Sequence, residues 1–287
     1  MSKNFVSVDI GGTKISVCFF KKNIIVKKKK FKTQNFGPSN LLNIRNFLLN
    51  NVNDISSIGI ATTGLVYKKK WSTLNRNMIG SFDNFPIVNF FKEKFKIPIF
   101  AIGDTHAASL GESYYGNGRD LKDFFYITVS TGIGGAAIIN KKVLNSNKKI
   151  VGQIGHTVIK YNGNICGCGR KGCLEAYSSG TAIQKNINKK LKLNLKLKDL
   201  IKNHSKNKIV IDSLNSAASV LSESILNIHN ILGIKNFIIG GSVGLNNIFF
   251  NKLDFFIKDK NIKIKLKKAG LRQDAEAFGC LAYSKYN

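Results

Sequence analysis

The chain has 287 residues, 43% of them hydrophobic, which is enough to bury one or two cores and, at roughly 100–200 residues per domain, to form two lobes. Its 45 Lys and Arg stand against 16 Asp and Glu for a formal charge of +29, yet arginine, the side chain best suited to reading bases, occurs only at Arg45, Arg76, Arg119, Arg170 and Arg272. The excess is lysine, in runs such as Lys27–Lys30 and Lys68–Lys70, set among abundant Asn, Ile and Phe whose codons are rich in A and T. Such runs read as solvated faces under compositional bias, and no specific nucleic-acid partner is expected.

In chain order, apolar patterning predicts strands at 4–10, 14–20 and 23–32, a helix at 39–50, a strand at 56–61, a helix at 86–95, a strand at 97–102 and a helix at 104–115. A hairpin over 124–139 follows, then a cysteine-rich loop and helices near 180–190, 212–230 and 244–257. The lobes are drawn at 1–103, to which a final helix over 273–287 crosses back, and at 104–272. The longest apolar run, Phe124–Ile139, is shorter than the ~20 residues of a membrane span and is broken by glycines, so no membrane association is expected.

The loop Gln153–Glu175 carries the most specific pattern. A nine-residue spacer separates His156 from Cys166, and Cys168 and Cys173 follow with glycines between them. One imidazole and three thiolates close a tetrahedral shell around Zn²⁺, which leaves no open position for water and makes the metal structural. Buried thiols beside an unrelated histidine would fit a lone cysteine better than this spacing. Three ligand-spaced cysteines indicate a reducing compartment, with Cys18 and Cys280 as core thiols.

Three glycine clusters lie at strand ends. Asp9, Gly11, Gly12, Thr13 and Lys14 sit between two strands, where glycine permits positive φ and close approach of N–H groups to an anion, and Asp9 suits a Mg²⁺ held through water. Thr131, Gly132, Gly134 and Gly135 repeat the arrangement in the second hairpin. Gly240, Gly241 and Ser242 follow a buried strand and open a helical stretch through Phe256, whose N-terminus favours an anionic or electron-rich ligand. Each alone is also ordinary turn punctuation.

In this order the motifs DIGGTK (9–14), STGIGG (130–135), GH-x9-CGCGRKGCLE (155–175) and GGSVG (240–244) resemble the ROK family of sugar kinases and repressors over nearly the whole chain. The segments at 61–66, 125–132, 153–158, 166–180 and 239–245 look closest to its bacterial N-acetylmannosamine kinases. The resemblance implies an α/β, two-lobed actin-like (ribonuclease-H-like) ATPase fold with mixed sheets, a cytoplasmic homodimer, and transfer of the γ-phosphate of ATP to the 6-hydroxyl of N-acetylmannosamine in sialic acid catabolism. It makes Asp104 the base, although Asp there is also a good helix N-cap. Gly64, Gln153, His156 and Glu175 are implied to line the sugar, with His156 binding zinc through one nitrogen and substrate through the other. A positive field would favour capture of Mg-ATP.

Three positions depart from the family. Gly103 replaces the Asn that commonly precedes the base, Gln153 a frequent Glu, and Met78 stands in a segment that often holds Asn. Each change alters a hydrogen bond to a sugar hydroxyl, which keeps glucokinase or another hexose kinase as an alternative. A decayed, inactive kinase is a further one. The phosphate motif begins at residue 9, so neither a signal peptide nor the helix-turn-helix of repressor members is expected ahead of it.

Overall fold

Nearly continuous buried runs set the first two strands, and the computed structural model describes residues 4–34, 37–51, 55–73, 80–145 and 151–286. Met78 lies outside the described residues. The chain divides into two compact units, one of Met1–Gly116, Asn145–Val151 and Gln273–Asn287, the other of Asn117–Leu144 and Gly152–Arg272. The helix that follows Gly103, read from sequence as the head of the second lobe, groups with the first unit, so the division falls after Gly116 instead.

In the first unit β1 (Asn4–Ile10), β2 (Lys14–Lys21), β3 (Ile24–Lys32), β4 (Ile55–Thr62) and β7 (Ile99–Gly103) form one sheet of order β3-β2-β1-β4-β7. The β1–β2 and β2–β3 pairs are antiparallel, while β1–β4 and β4–β7 are parallel. A small hairpin, β5 (Leu65–Tyr67) and β6 (Lys70–Ser72), buries Trp71 against Phe82 with ring centroids 4.3 Å apart. Helix α1 (Gly37–Leu49) buries Leu41, Ile44 and Leu48, and α2 (Ile87–Lys92) buries Ile87, Val88 and Phe91, an aliphatic and aromatic core with the sheet.

Helix α3 (Asp104–Tyr115) packs on α9 (Ala275–Tyr286) through small residues. A side chain at Gly111 would run into the Ala275 carbonyl and one at Gly279 into that of Ala107. Only glycine at these crossings lets the two backbones approach so closely.

The second unit repeats the strand pattern. Its sheet has the order β10-β9-β8-β11-β12, built from β8 (Phe124–Val129), β9 (Ile133–Ile139), β10 (Lys142–Val143), β11 (Asn236–Gly240) and β12 (Lys265–Lys268). Pairing is again antiparallel in the hairpins and parallel for β8–β11 and β11–β12. Helices α4 (Glu175–Ser178), α5 (Gly180–Leu191), α6 (Leu197–Asn203), α7 (Lys208–Leu232) and α8 (Asn247–Asp259) belong to this unit.

Helix α7 starts ahead of the expected 212 because the Asn207 side chain accepts from Ile209 N–H, and it ends at Gly233 with φ of 67°. It is long and apolar enough to cross a membrane by length and composition, but its stripe of Val210, Leu214, Ala217, Leu221 and Ile225 is buried in this unit's core. Both α6 and β12 were absent from the sequence reading. The first buries only Leu200 and the second alternates lysines with half-buried positions, so neither presents an apolar run.

Candidate functional site

Parallel pairing aligns three strand ends of the first unit. Ile10 stands opposite Thr62, and Thr62 opposite Gly103, so the residues leaving β1, β4 and β7 emerge at one edge of the sheet. Ligands of open α/β sheets bind outside such carboxyl ends. This register brings together Asp9, Gly64 and Asp104, and adds Thr63, which the sequence reading passed over.

Asp104 is the first residue of α3, and Gly103, with φ −62° and ψ 142°, is the N-cap in its place. Its Oδ1 accepts from Thr105 N–H at 2.7 Å, and the Thr63 hydroxyl bonds the same carboxylate. Burial outweighs these bonds and pushes the carboxyl up to about 6. Asp9 is pushed up to about 7, first by burial and then by the charge of Asp104, against the pull of Lys14 and Lys28. Glu276 in the first turn of α9 belongs to the same group, its carboxyl raised well above the usual range by burial and by Asp9. The sequence does not single it out, since Glu276 stands two residues after Asp274 among the small residues Ala275, Ala277 and Gly279.

Gly64 is required by its backbone, since φ is 95° and a side chain would meet the Ser72 carbonyl. At Gly103, by contrast, a Cβ would lie 3.8 Å from the Gly64 carbonyl oxygen and 4.0 Å from His106 Nδ1, so there is room beside the base. The positive φ expected of the first two clusters is not found at Gly11, Gly12, Gly132, Gly134 or Gly135; within the three clusters only Gly241 has it, at 82°. Clearance is what Gly11, Gly132, Gly135 and Gly240 supply, since a Cβ would stand, in turn, 3.1 Å from the Lys14 carbonyl oxygen, 2.5 Å from Glu175 Oε2, 2.5 Å from the Phe125 ring and against the Tyr126 hydroxyl.

In the second unit the turn between β8 and β9 is tied down on all sides. Ser130 N–H donates to the Gly132 carbonyl at 2.9 Å, and Ser130 Oγ lies 3.2 Å from Ser242 Oγ, which joins the second and third glycine clusters. The Thr131 carbonyl accepts from the Thr181 hydroxyl at 2.9 Å. Glu175 accepts from Ile133 N–H at 2.9 Å, so it anchors the turn between β8 and β9. The third cluster does not open the helix, as expected from sequence. Val243 and Gly244 N–H groups donate to the Val129 carbonyl at 2.9 and 3.1 Å, and α8 begins at Asn247 because Asn246 caps Ile248 and Phe249.

The four expected metal ligands come together. His156, Cys166, Cys168 and Cys173 place their ligand atoms within 4.8 Å of one another, with Cys166 Sγ 3.6 Å from His156 Nδ1 and Cys168 Sγ 3.7 Å from Cys173 Sγ. A tetrahedron with Zn–S bonds of about 2.3 Å has sulfur–sulfur edges of about 3.8 Å, so the set fits zinc. The loop closes through Cys166 N–H to the Arg170 carbonyl at 2.8 Å and Gly169 N–H to the Cys166 carbonyl at 2.9 Å. Burial pushes the Cys166 thiol up to about 12, and a metal ion would take the place of that proton. Gln153 enters the same loop by its backbone, its carbonyl accepting from His156 N–H at 3.0 Å.

Comparison with known proteins places this geometry. The chain is 29% identical to an N-acetylmannosamine kinase of Haemophilus influenzae over 289 aligned positions, covering 98% of this chain and 95% of that protein. It is 28% identical to an N-acetylmannosamine kinase of Vibrio vulnificus, covering 95% and 94%. Among solved structures, a ROK hexokinase from Thermus thermophilus superposes with a TM-score of 0.82 at 24% identity, covering 96% of each chain. A ROK family glucokinase from Streptomyces griseus, solved with glucose and AMPPNP, gives 0.85 at 22%, covering 96% of this chain and 97% of that one. These structural likenesses carry the fold, the two-lobed actin-like ATPase architecture with mixed sheets. The ROK family model itself matches residues 5–286, and the chain belongs to the ROK family.

Proposed function

We propose that the protein is an ATP-dependent sugar kinase that phosphorylates the 6-hydroxyl of N-acetylmannosamine, working in the cytoplasm as a homodimer. The observation that carries the reading is Asp104. A carboxylate at a parallel strand end, held by Thr105 N–H and the Thr63 hydroxyl and raised to about 6, is ionised at neutral pH yet basic enough to accept a proton.

In this reading Asp104 takes the proton of the 6-hydroxyl as that oxygen attacks the γ-phosphorus, and the bond to ADP breaks in line. The N–H groups and hydroxyls of the turns at 11–14, 130–135 and 240–242 bind the nucleotide. Asp9 is the residue that would hold Mg²⁺ through water, and a buried carboxylate beside a second one is a fitting place for a cation. The ion supplies charge neutralisation on the phosphates. Zinc would fix His156 through Nδ1 and present Nε2 to a sugar hydroxyl, while the loop it braces carries Gln153 and Glu175. Gly64 meets the sugar by its backbone. The test is an ADP-release assay over a panel of hexoses and N-acetylhexosamines. Turnover on N-acetylmannosamine above all others is expected, and no turnover on any sugar would overturn the reading.

The room at Gly103 favours a second reading, in which a different hexose is preferred. Gly103→Asn separates the two. If the glycine merely lacks one hydrogen bond to N-acetylmannosamine, the variant should lower KM for that sugar by the equivalent of about 0.5–1.5 kcal/mol and leave kcat unchanged. Loss of activity on the preferred sugar would instead show that its substituent needs the space.

A further inference from the structure

Pairing in the first sheet sets two rows of residues side by side on one face. Asp9 stands between Ser16 of β2 and Ala61 of β4, and Ser7, two residues earlier on the same face, stands between Cys18 and Gly59. Helix α9 lies over this face, because a Cβ built on Gly59 would be 2.8 Å from Cys280 Cβ. Glu276 precedes Cys280 by four residues and so projects from the same side of the helix about 6 Å further along. The helix crosses the strands of this face, with Asp274 at Lys28 of β3, Phe278 on Phe20 of β2 at 5.3 Å between ring centroids, Cys280 by Gly59 of β4 and Tyr283 on Phe100 of β7 at 4.9 Å, so Glu276 falls between β3 and β4, over the strands that carry Ser16 and Asp9. Asp9 is accordingly the charged group that acts on Glu276 most strongly, with Asp104 and Lys14 also in range.

We propose that Glu276 is a further carboxylate of the divalent-cation site, acting with Asp9 on the cation that accompanies the nucleotide. This rests on the kinase reading above and deepens it. Three carboxylates from β1, α3 and α9 share a region whose nearby cations are Lys14 and Lys28, and Lys28 is already paired with Asp274. Like charges brought out of water together cost stability, and a cation bound among them removes that cost. Magnesium suits the donor set, since it takes oxygen ligands and one or two carboxylates and keeps its remaining waters.

A second observation is independent of the acids. Ser7 Oγ is buried at 1% exposure with no hydrogen-bond partner among the described residues, and it faces α9 one row from Asp9. A buried hydroxyl without a partner calls for a water or ion that the protein does not itself provide.

The test uses the full chain, ADP and Mn²⁺ as the probe, with free Mn²⁺ followed by electron paramagnetic resonance. Glu276→Gln should weaken Mn²⁺ binding to the protein–ADP complex by about tenfold or more, the range seen when a carboxylate supporting a metal is lost. ADP affinity without divalent cation and zinc content should match the wild type, and Glu276→Asp should retain part of the Mn²⁺ affinity. Equal Mn²⁺ affinity in the wild type and in Glu276→Gln, or in Glu276→Asp should the Gln variant not fold, would overturn the role of Glu276 and leave the kinase reading intact. A wild type that binds neither ADP nor Mn²⁺ would overturn both.

Discussion

Asp104 can act as a base only because its surroundings oppose one another. Burial drives the carboxyl up, while Thr105 N–H and the Thr63 hydroxyl hold it down, and the balance at about 6 leaves it ionised just below neutral pH. Asp104→Asn keeps the size and the bond from Thr105 but accepts no proton, so kcat should fall by at least roughly 10²-fold with little change in ATP affinity. For the unmodified protein, sugar phosphorylation should rise with pH through about 6 and level off above it, because only the ionised carboxylate accepts the proton. Steady-state kinetics between pH 5 and 8 check both. Near-normal turnover in the variant would leave Asp104 as a structural residue at the start of α3. This acid was legible in the sequence from its place after an apolar strand, whereas Glu276 was not, because only the packing of α9 on the sheet reveals that it stands by Asp9.

Among the elements, the metal loop was the easiest to read and is held the most locally. Its ligands lie within eighteen residues, His156–Cys173, and positive φ at Gly169 and Gly172, 87° and 81°, turns the chain back on itself between them. Cys166→Ser should abolish bound zinc and weaken sugar binding by an order of magnitude or more, while circular dichroism retains the α/β spectrum. A partial effect is expected because Leu174 and Ile154 anchor the loop in a core that holds without the ion, unlike a zinc finger. Metal analysis showing no zinc in protein purified without chelators would exclude the structural-zinc proposal. The first two glycine turns were legible as turns, but the positive φ expected of them is not found. Sequence shows that a side chain is missing, not whether φ or clearance demanded it.

For the whole molecule, the raised acids make stability depend on pH in a definite direction. Asp9 has its carboxyl moved from 3.8 to about 7, so its contribution to stability is full below 3.8 and is lost as pH rises through about 7. Asp9→Asn does not titrate. In magnesium-free buffer its Tm relative to the wild type should therefore climb between pH 5 and pH 8 by several degrees, since 1 kcal/mol moves Tm by roughly 2–4 °C in domains of 150–250 residues. Thermal melts of both proteins across that range provide the check, and a difference that does not vary with pH would contradict the shared burial of these acids. Comparing the two proteins at each pH cancels the self-repulsion of the +29 chain, which changes alike in both.

Most strands of the two sheets, the hairpin turns, the grouping of His156 with Cys166, Cys168 and Cys173, and the family were readable from residues alone, because each rests on spacing along the chain or on an apolar run within one element. Among the elements that escaped, α6 and β12 have too few apolar positions to show a period, and β5, β6, β10 and α4 are too short for one. The grouping of α3 with the first unit, the anchoring of the β8–β9 turn by Glu175, and the company of Asp9, Asp104 and Glu276 required the fold. These depend on register between distant strands and on how closely glycines let helices approach. Both are set by contacts between residues far apart in the chain, on which local sequence carries no signal.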